Sequence, residues 1–378
     1  MEFLAILLLL TLVAWLETRV YQKYAFHNLK YVCYFDREEA FEGEEICLVE
    51  EVSNGKLLPM PWLKAELTTS KWLDFAGSQS LITEETRFVP SFFMMKSRHK
   101  VVRSWKVKCL KRGSFQLDKV ILVSTDLLGT VSVSLSVDPH THITVLPRPV
   151  DMELGFERVL STSGPVIVRR HLLPDPFLIA GVREYTQRES MNHVHWLATA
   201  RTGRLMVHNN EYSADQTLTI ILNIQSREYE LERAMEPEKV EEAIRVCAGF
   251  LDDTLRSGIP VSLWINASLT GERETIITPC SWGREHIREL LRLLANLPLQ
   301  SSEDFPTFLE GFCSKVTTSD LVLISPYLNE DILEYAGHRR MEGTRVKVVT
   351  TSPLRKEDIT GDLDIYCYHR EEAVSHAG

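Results

Sequence analysis

Residues 181–207 hold the densest group of side chains that could do chemistry. Basic, acidic and aromatic residues follow one another closely here: Arg183, Glu184, Tyr185, Arg188, His193, His195, Trp196 and Arg201. Such groups are costly to bury without partners, so the cluster indicates either acid–base chemistry or a structural hydrogen-bond network. An apolar run at residues 218–225, typical of a strand buried on both faces, comes next in the chain.

Two histidines in this cluster raise the question of a metal site. An extended chain places His193 and His195 on the same side. Zinc needs a third or fourth protein ligand, and His171 and His208 are candidates only because they are near in sequence. We therefore interpret the pair as network histidines and predict no metal and no cofactor.

Common enzyme signatures are absent from the sequence. It contains no G-x-S-x-G, no P-loop, no G-x-G-x-x-G and no H-E-x-x-H. Its seven cysteines never form a CxxC pair, which favours reduced, buried thiols over a disulfide framework or a zinc site. The net charge of −10 argues against nucleic-acid binding. These observations predict a protein that is not an enzyme.

The N-terminus predicts a membrane anchor. Residues 3–16 are almost entirely apolar, and Glu17, Arg19 and Lys23 follow them. The run is shorter than the roughly 20 residues of a typical membrane-spanning helix, but flanking aromatic residues could extend it. An acidic residue before the run and no small-residue cleavage site disfavour a signal peptide. We therefore predict a single-pass helix at residues 1–24 in the bacterial cell membrane, with the bulk of the chain in the cytoplasm.

The next part of the chain, residues 29–150, has the pattern of a β-sandwich. Short strands alternate with turn signals such as Asn54-Gly55 and Arg112-Gly113. Its charge is uneven, because residues 36–51 hold eight acids and residues 96–112 hold eight bases. We favour solvated strand faces, paired across the sheet, over a basic face that binds anionic lipid.

Residues 217–378 follow a different pattern, after a connector at residues 151–216. Apolar strand candidates alternate with amphipathic helices, the first of which begins at Pro237. This alternation predicts right-handed crossovers and an open, mainly parallel α/β sheet. A functional site is then expected at the carboxyl ends of the strands. The strand candidates are residues 218–225, 261–266, 321–325 and 346–350.

The polar cluster also carries a family resemblance. Its Arg183-Glu184-Tyr185, its His195-Trp196, the Ala200-Arg201 of an A-x-A-R-T-G run and the following L-M-V resemble the signature of domain of unknown function family 58. Weaker similarity extends upstream to the turn before Gly129 and to Arg148, and thus over nearly the whole chain. The chain departs from the signature where His195 replaces an acid and where Gln187-Arg188-Glu189 replaces a Pro-Gly-Asp turn.

The resemblance implies a fold and partners. The fold class is α+β multidomain, with an N-terminal transmembrane helix, an Ig-like β-sandwich and a von Willebrand factor A-like open parallel sheet. The partners are a MoxR-type AAA+ ATPase and a transglutaminase-like membrane protein. Such α/β domains commonly bind a divalent ion through D-x-S-x-S, but Asn223, Gln225 and Arg227 occupy those positions here. Because a hard cation needs carboxylate and hydroxyl oxygens, we predict a degenerate site without metal.

Two functions remain open at this point. The first is a non-enzymatic, membrane-anchored adaptor or scaffold that mediates protein–protein interaction, with a MoxR-type ATPase system as partner. The alternative is a cryptic hydrolase or metal-dependent enzyme that uses the Arg183, Glu184 and His195 cluster.

Overall fold

The computed structural model describes residues 2–152, 156–160, 164–167, 181–184, 196–209, 217–230, 233–269, 275–312, 318, 320–353 and 363–368. The chain divides into two compact units, Met1–Pro147 and Arg148–Gly378.

The first unit consists of one helix followed by strands. The helix α1 spans Glu2–Tyr24. The strands are β1 (Leu29–Phe35), β2 (Glu39–Phe41), β3 (Glu45–Asn54), β4 (Met60–Ser70), β5 (Leu73–Phe75), β6 (Leu81–Thr83), β7 (Thr86–Met95), β8 (His99–Cys109), β9 (Gly113–Gln116), β10 (Lys119–Thr125), β11 (Ser132–Val137) and β12 (His142–Leu146).

These strands form a β-sandwich. One sheet has the order β1-β3-β8-β5, the other has the order β11-β10-β4-β7-β6, and a small sheet β2-β12-β9 accompanies them. Every second residue of β3 and β4 is buried, as expected for strands with one face on a core. Leu48 and Val107 from the first sheet share one apolar core with Leu67, Val89 and Leu122 from the second. The alternation of apolar and polar residues along the strands therefore accounts for the apolar core between the two sheets.

The acidic and basic stretches of the first unit pair across one sheet. Strand β3 carries three of the eight acids and β8 four of the eight bases, and the two strands are antiparallel neighbours that place Glu45 opposite Lys108. Lys100 Nζ lies 2.6 Å from Glu51 Oε2. The predicted pairing of solvated strand faces therefore holds for Glu51 and Lys100, whereas Glu50 of the same strand is buried.

A carboxylate is buried inside the sandwich. Glu50 is 1% exposed. Its Oε1 accepts a hydrogen bond from Tyr31 Oη at 2.7 Å, and its Oε2 accepts from Ser91 Oγ at 2.6 Å and Trp105 Nε1 at 2.7 Å. Three donors compensate for its desolvation, as a buried acid requires. The same neighbourhood raises the pKa of the Cys33 thiol to about 12, mainly through burial.

The last turns of α1 belong to the folded first unit. Tyr21 is buried, and its hydroxyl lies 2.6 Å from Ser124 Oγ. Leu127 N donates to Glu17 Oε1 at 3.4 Å, and Thr18 Oγ1 lies 3.2 Å from Thr130 Oγ1. This end of the helix is therefore held by side-chain contacts with the sandwich.

The predicted anchor at residues 1–24 is corrected by the structure. No helix among the described residues is long and apolar enough to cross a membrane. The apolar run of 14 residues covers about 21 Å of helix, less than the roughly 30 Å of a hydrocarbon core. The single-pass localisation in the cell membrane is therefore wrong.

The second unit combines strands with five helices among its described residues. The strands are β13 (Phe156–Leu160), β14 (Gly164–Ile167), β15 (Gly181–Glu184), β16 (Met206–Asn209), β17 (Leu218–Leu222), β18 (Val261–Ile265), β19 (Ile276–Ile277), β20 (Asp320–Ser325), β21 (Arg345–Thr350) and β22 (Asp364–Tyr368). The helices are α2 (Trp196–Thr202), α3 (Pro237–Ser257), α4 (Arg284–Asn296), α5 (Phe305–Phe312) and α6 (Glu330–Met341).

One sheet of eight strands organises the second unit, in the order β14-β13-β22-β21-β20-β17-β18-β19. Strands β22, β21, β20, β17 and β18 are parallel, whereas β13, β14 and β19 are antiparallel to their neighbours. Residues of α5 and α6 share a core with one face of the sheet, for example Phe308 and Ile332 with Leu323. Strands β15 and β16 form a separate antiparallel pair.

The predicted fold class is also corrected. Strands account for 40% and helices for 28% of the described structure, so the chain is mostly β-sheet, without the transmembrane helix of the prediction. The sheet of the second unit is mixed and not the expected open parallel sheet, because antiparallel strands extend it at both edges. Two of them, β13 and β14, come from the predicted connector at residues 151–216, whose sequence has little apolar alternation.

Candidate functional site

Polar side chains meet where the parallel strands of the second unit end. Asn223 follows β17, Asn266 follows β18, and Ser325 is the last residue of β20. Because these strands are adjacent and parallel, the three residues lie at the same edge of the sheet. All three are fully buried. In open α/β sheets this edge is the usual place for a site.

The carboxamide of Asn223 lies at the centre of this group. Its Nδ2 donates to Ser325 Oγ at 2.9 Å. Its Oδ1 accepts from Asn266 Nδ2 at 3.0 Å and from Gln225 N at 2.9 Å. Asn266 Oδ1 in turn accepts from Ile224 N at 2.8 Å. The buried amide groups of β17 and β18 are thus paired with one another and with a hydroxyl.

Gln225 extends the network to two further loops. Its Nε2 donates to Glu230 O at 2.7 Å and to Asp304 Oδ1 at 3.1 Å. Its Oε1 accepts from Phe305 N at 2.9 Å and from Tyr327 Oη at 3.3 Å. An amide side chain has two donors and two acceptor lone pairs, so all four are used. We call Asn223, Gln225 and Asn266 the amide network.

The loop after the network is held by two carboxylates. Glu230 Oε2 accepts from Ser226 N at 2.7 Å, and Glu230 Oε1 accepts from Met235 N at 2.7 Å. Glu236 lies 2.8 Å from Lys239 Nζ and 2.6 Å from Arg227 Nε. Hydrogen bonds from Lys239 and then Arg227 lower the pKa of the Glu236 carboxyl. The loop is therefore fixed at both ends of its described residues.

Three exposed side chains project from this loop: Glu228, Tyr229 and Met235, which we call the rim. Tyr229 is 75% and Met235 is 71% exposed. Tyr229 has a φ of +57°, a conformation that is uncommon for residues other than glycine. The charge of Glu228, and then those of Asp331 and Asp304, raise the pKa of the Tyr229 phenol. The rim is therefore aromatic, apolar and acidic.

The structure places the residues of the predicted degenerate metal site in two environments. Asn223 and Gln225 are buried and belong to the amide network, whereas Arg227 is exposed and pairs with Glu236. Within the described ranges, no three histidine, cysteine or carboxylate side chains group in a way that could hold a metal ion.

The predicted signature residues fall partly outside the described residues. Arg183 and Glu184 lie in β15, opposite Val207 and Met206 of β16. Tyr185 and His195 are outside the described residues. Trp196, Ala200 and Arg201 lie in α2 with exposed side chains. Thr199 Oγ1 of this helix accepts from Met206 N at 2.9 Å, which fixes α2 to β16. The catalytic alternative stays a prediction.

Sequence reasoning missed Asn266 of the amide network and three residues that bond to the network, Asp304, Ser325 and Tyr327. Two of them carried a usable signal, because Asn266 and Ser325 stand at the ends of apolar runs. Asp304 and Tyr327 lie in loops whose proximity to Gln225 is set by the fold alone. A polar residue directly after a buried strand is thus the feature that sequence analysis could have used.

Residues 181–359 match the family model described as "Protein of unknown function DUF58". No curated protein matches the chain significantly. The first 180 residues lie outside the matched range.

Several solved structures are similar to parts of the chain. A non-cellulosomal cohesin from the hyperthermophilic archaeon Archaeoglobus fulgidus is 15% identical, with 33% of this chain and 94% of that chain covered and a TM-score of 0.22. The CARDB domain of a Pyrococcus furiosus protein is 11% identical, with 32% and 96% covered and a TM-score of 0.21. The sporulation control protein Spo0M from Bacillus subtilis is 15% identical, with 31% and 49% covered and a TM-score of 0.18.

Proposed function

We propose that the chain, whose residues 181–359 match the DUF58 family model, is a non-enzymatic adaptor or scaffold that binds protein partners through the rim. The observation that carries this proposal is the exposure of Tyr229 and Met235 on a loop that hydrogen bonds of Glu230 hold to the buried network. Aromatic and methionine side chains are enriched in the cores of protein interfaces. A surface that is pre-organised before binding also costs less entropy to bury.

The charge of the rim defines the kind of partner. Glu228, Asp304 and Asp331 surround Tyr229 closely enough to act on its phenol. The whole chain also carries a net charge of −10. A partner surface with lysine or arginine near an apolar pocket would complement both features.

The partner we propose is a MoxR-type AAA+ ATPase, with a transglutaminase-like protein as a second one. Both come from the family resemblance of the signature segment. A binding role, as opposed to catalysis, is supported at this edge of the sheet. The side chains of Asn223 and Gln225 are engaged in hydrogen bonds and present no nucleophile.

Affinity capture tests this function. The full chain is immobilised and exposed to extract from its source cells, with and without ATP, and bound proteins are identified by mass spectrometry. We expect a AAA+ ATPase in the wild-type eluate and at least a tenfold loss with Tyr229→Ala or Met235→Ala, about the 1.4 kcal/mol of one hot-spot side chain. The matched control is Met341→Ala, because Met341 is 87% exposed at the far end of α6. Equal capture by all four proteins, or no ATPase under either condition, would contradict the proposal.

The alternative hydrolase function predicts a different result for the signature segment. Glu184→Ala or His195→Ala would then abolish an activity and leave the melting temperature unchanged. If the segment is structural, as the adaptor proposal expects, the same variants lower the melting temperature.

A further inference from the structure

The amide network stands where the related α/β domains that the sequence resembles would hold a divalent cation. Two chemical features decide whether a cation could fit: free oxygen lone pairs and negative charge. Mg²⁺ and Ca²⁺ take oxygen ligands and depend largely on carboxylates. The side chains of Asn223 and Gln225 offer neither feature.

The side-chain oxygens of Asn223 and Gln225 are already occupied. Asn223 Oδ1 accepts from Asn266 Nδ2 and Gln225 N, and Gln225 Oε1 accepts from Phe305 N and Tyr327 Oη. A carbonyl oxygen has two lone pairs, so each of these atoms is saturated. A cation could bind them only after these hydrogen bonds had broken.

The side-chain nitrogen of Asn223 is also engaged in a hydrogen bond. Asn223 Nδ2 donates to Ser325 Oγ, and that hydroxyl donates onward to Tyr327 O at 2.5 Å. An amide N–H carries positive partial charge, so it can bridge two acceptor groups as a cation would. The three amide side chains are themselves uncharged and so lack the repulsion between carboxylates that a cation relieves. One carboxylate, that of Asp304, accepts a hydrogen bond from Gln225 Nε2.

We propose that the amide network replaces a divalent cation as the element that joins the strand ends, so that the rim is formed in the absence of metal and its binding does not depend on divalent ions. The network connects the loops after β17, β18 and β20 with the start of α5. This inference depends on the proposed function only where it concerns partner binding.

The structural part is tested on the full chain without a partner. Thermal unfolding and amide hydrogen exchange are measured in millimolar MgCl₂, MnCl₂ or CaCl₂ and in EDTA. We expect the same melting temperature and the same exchange at Ile224, Gln225 and Phe305 in all four solutions. A higher melting temperature or slower exchange with any of the three metals would overturn the proposal.

A variant tests whether the network itself holds the loops. Asn223→Asp removes the donor to Ser325 and adds a buried charge. We expect exchange at Ile224, Gln225 and Phe305 to rise about tenfold or more, in EDTA and with metal alike, while β21 amides change less, as in local opening. The control is Asn296→Asp, which changes an exposed amide at the end of α4. It should alter neither the exchange at Ile224, Gln225 and Phe305 nor that of the β21 amides. Unchanged exchange in Asn223→Asp would count against the proposal.

Partner capture gives the separate functional readout. Without nucleotide, capture on the wild-type chain should be equal in EDTA and in MgCl₂. Capture that needs Mg²⁺ would overturn metal-independent binding. Failure of capture in both solutions would contradict the proposed function and leave the exchange result as the measure of the network.

Discussion

Asn223 Nδ2 donates a 2.9 Å hydrogen bond to Ser325 Oγ across the ends of two adjacent parallel strands, β17 and β20. Both residues are fully buried, so neither atom has water as an alternative partner. The contact exists because residue 223 is an amide: a carboxylate at this position would accept hydrogen bonds but could not donate one. The type of a single residue thus decides whether this edge of the sheet is closed by hydrogen bonds.

Ser325→Ala is expected to destabilise the second unit by about 2 kcal/mol, because it leaves the buried Asn223 Nδ2 without its acceptor. Hydrogen exchange of β17 and β20 amides in urea measures the loss. Ser257→Ala, at the end of α3, removes a hydroxyl that donates to a carbonyl of its own helix and should cost only a few tenths of a kcal/mol. A loss no larger than that of Ser257→Ala would show that the contact with Asn223 contributes little.

Glu50→Ala is expected to destabilise the first unit by about 3 kcal/mol, because the buried hydroxyl of Ser91 and the indole N–H of Trp105 lose their acceptor. Exchange of β3 and β8 amides measures this unit separately. The neighbouring Glu51→Ala is the matched control, since Glu51 is on the outer face and pairs with the exposed Lys100. Its expected cost is much smaller than that of Glu50→Ala, because exposed ion pairs contribute little to stability. Similar losses in both variants would argue against the three-donor arrangement around Glu50.

Much of the second unit follows directly from sequence. The continuous apolar runs at 218–225 and 261–266 predict strands, and the structure has β17 at Leu218–Leu222 and β18 at Val261–Ile265. Pro237 begins α3, as its fixed φ favours at a first helical position. Such apolar runs predict strands reliably, because a strand that is buried on both faces consists almost entirely of apolar residues.

Other features could not be derived from sequence. Strand β19 has only two residues, too few for a periodic signal, and its pairing with β18 depends on the fold. The apolar start of α1 predicts a membrane span. The contact that holds the other end of this helix, between Tyr21 and Ser124, joins residues 103 positions apart, so the sequence gives no local sign of it. The bond between Gln225 and Asp304 links residues 79 positions apart. Such contacts are set by tertiary structure, which a single sequence does not reveal.

Tyr21→Phe is expected to cost about 1 kcal/mol, the typical net value of one buried hydrogen bond. Tyr24→Phe, at the exposed Tyr24 in the same helix, should be neutral.

Burial, more than any other cause, raises the pKa of the Tyr21 phenol in the folded state. The folded protein therefore holds this proton more tightly, and the associated stability is lost as pH rises above about 10. Unfolding titrations between neutral and alkaline pH should show a smaller decline in Tyr21→Phe than in the wild type. An identical decline would show that Tyr21 does not titrate with unfolding.

Glu236→Gln should make the start of α3 less sensitive to acid. The pKa of Glu236 is lowered in the folded state, mainly by its hydrogen bond with Lys239 and also by that with Arg227. Its contribution to stability is therefore present above the unfolded pKa of about 4.3 and is lost as pH falls through the lower folded value. Because the ion pair is partly exposed, we expect a cost of about 0.5–1 kcal/mol at neutral pH, and almost none at pH values low enough to protonate the folded carboxyl. The control is Glu238→Gln in the first turn of the same helix, which keeps both ion pairs of Glu236 intact. Exchange of α3 amides across this pH range measures the difference, and a cost that persisted in acid would mean that the side chain acts through packing instead of charge.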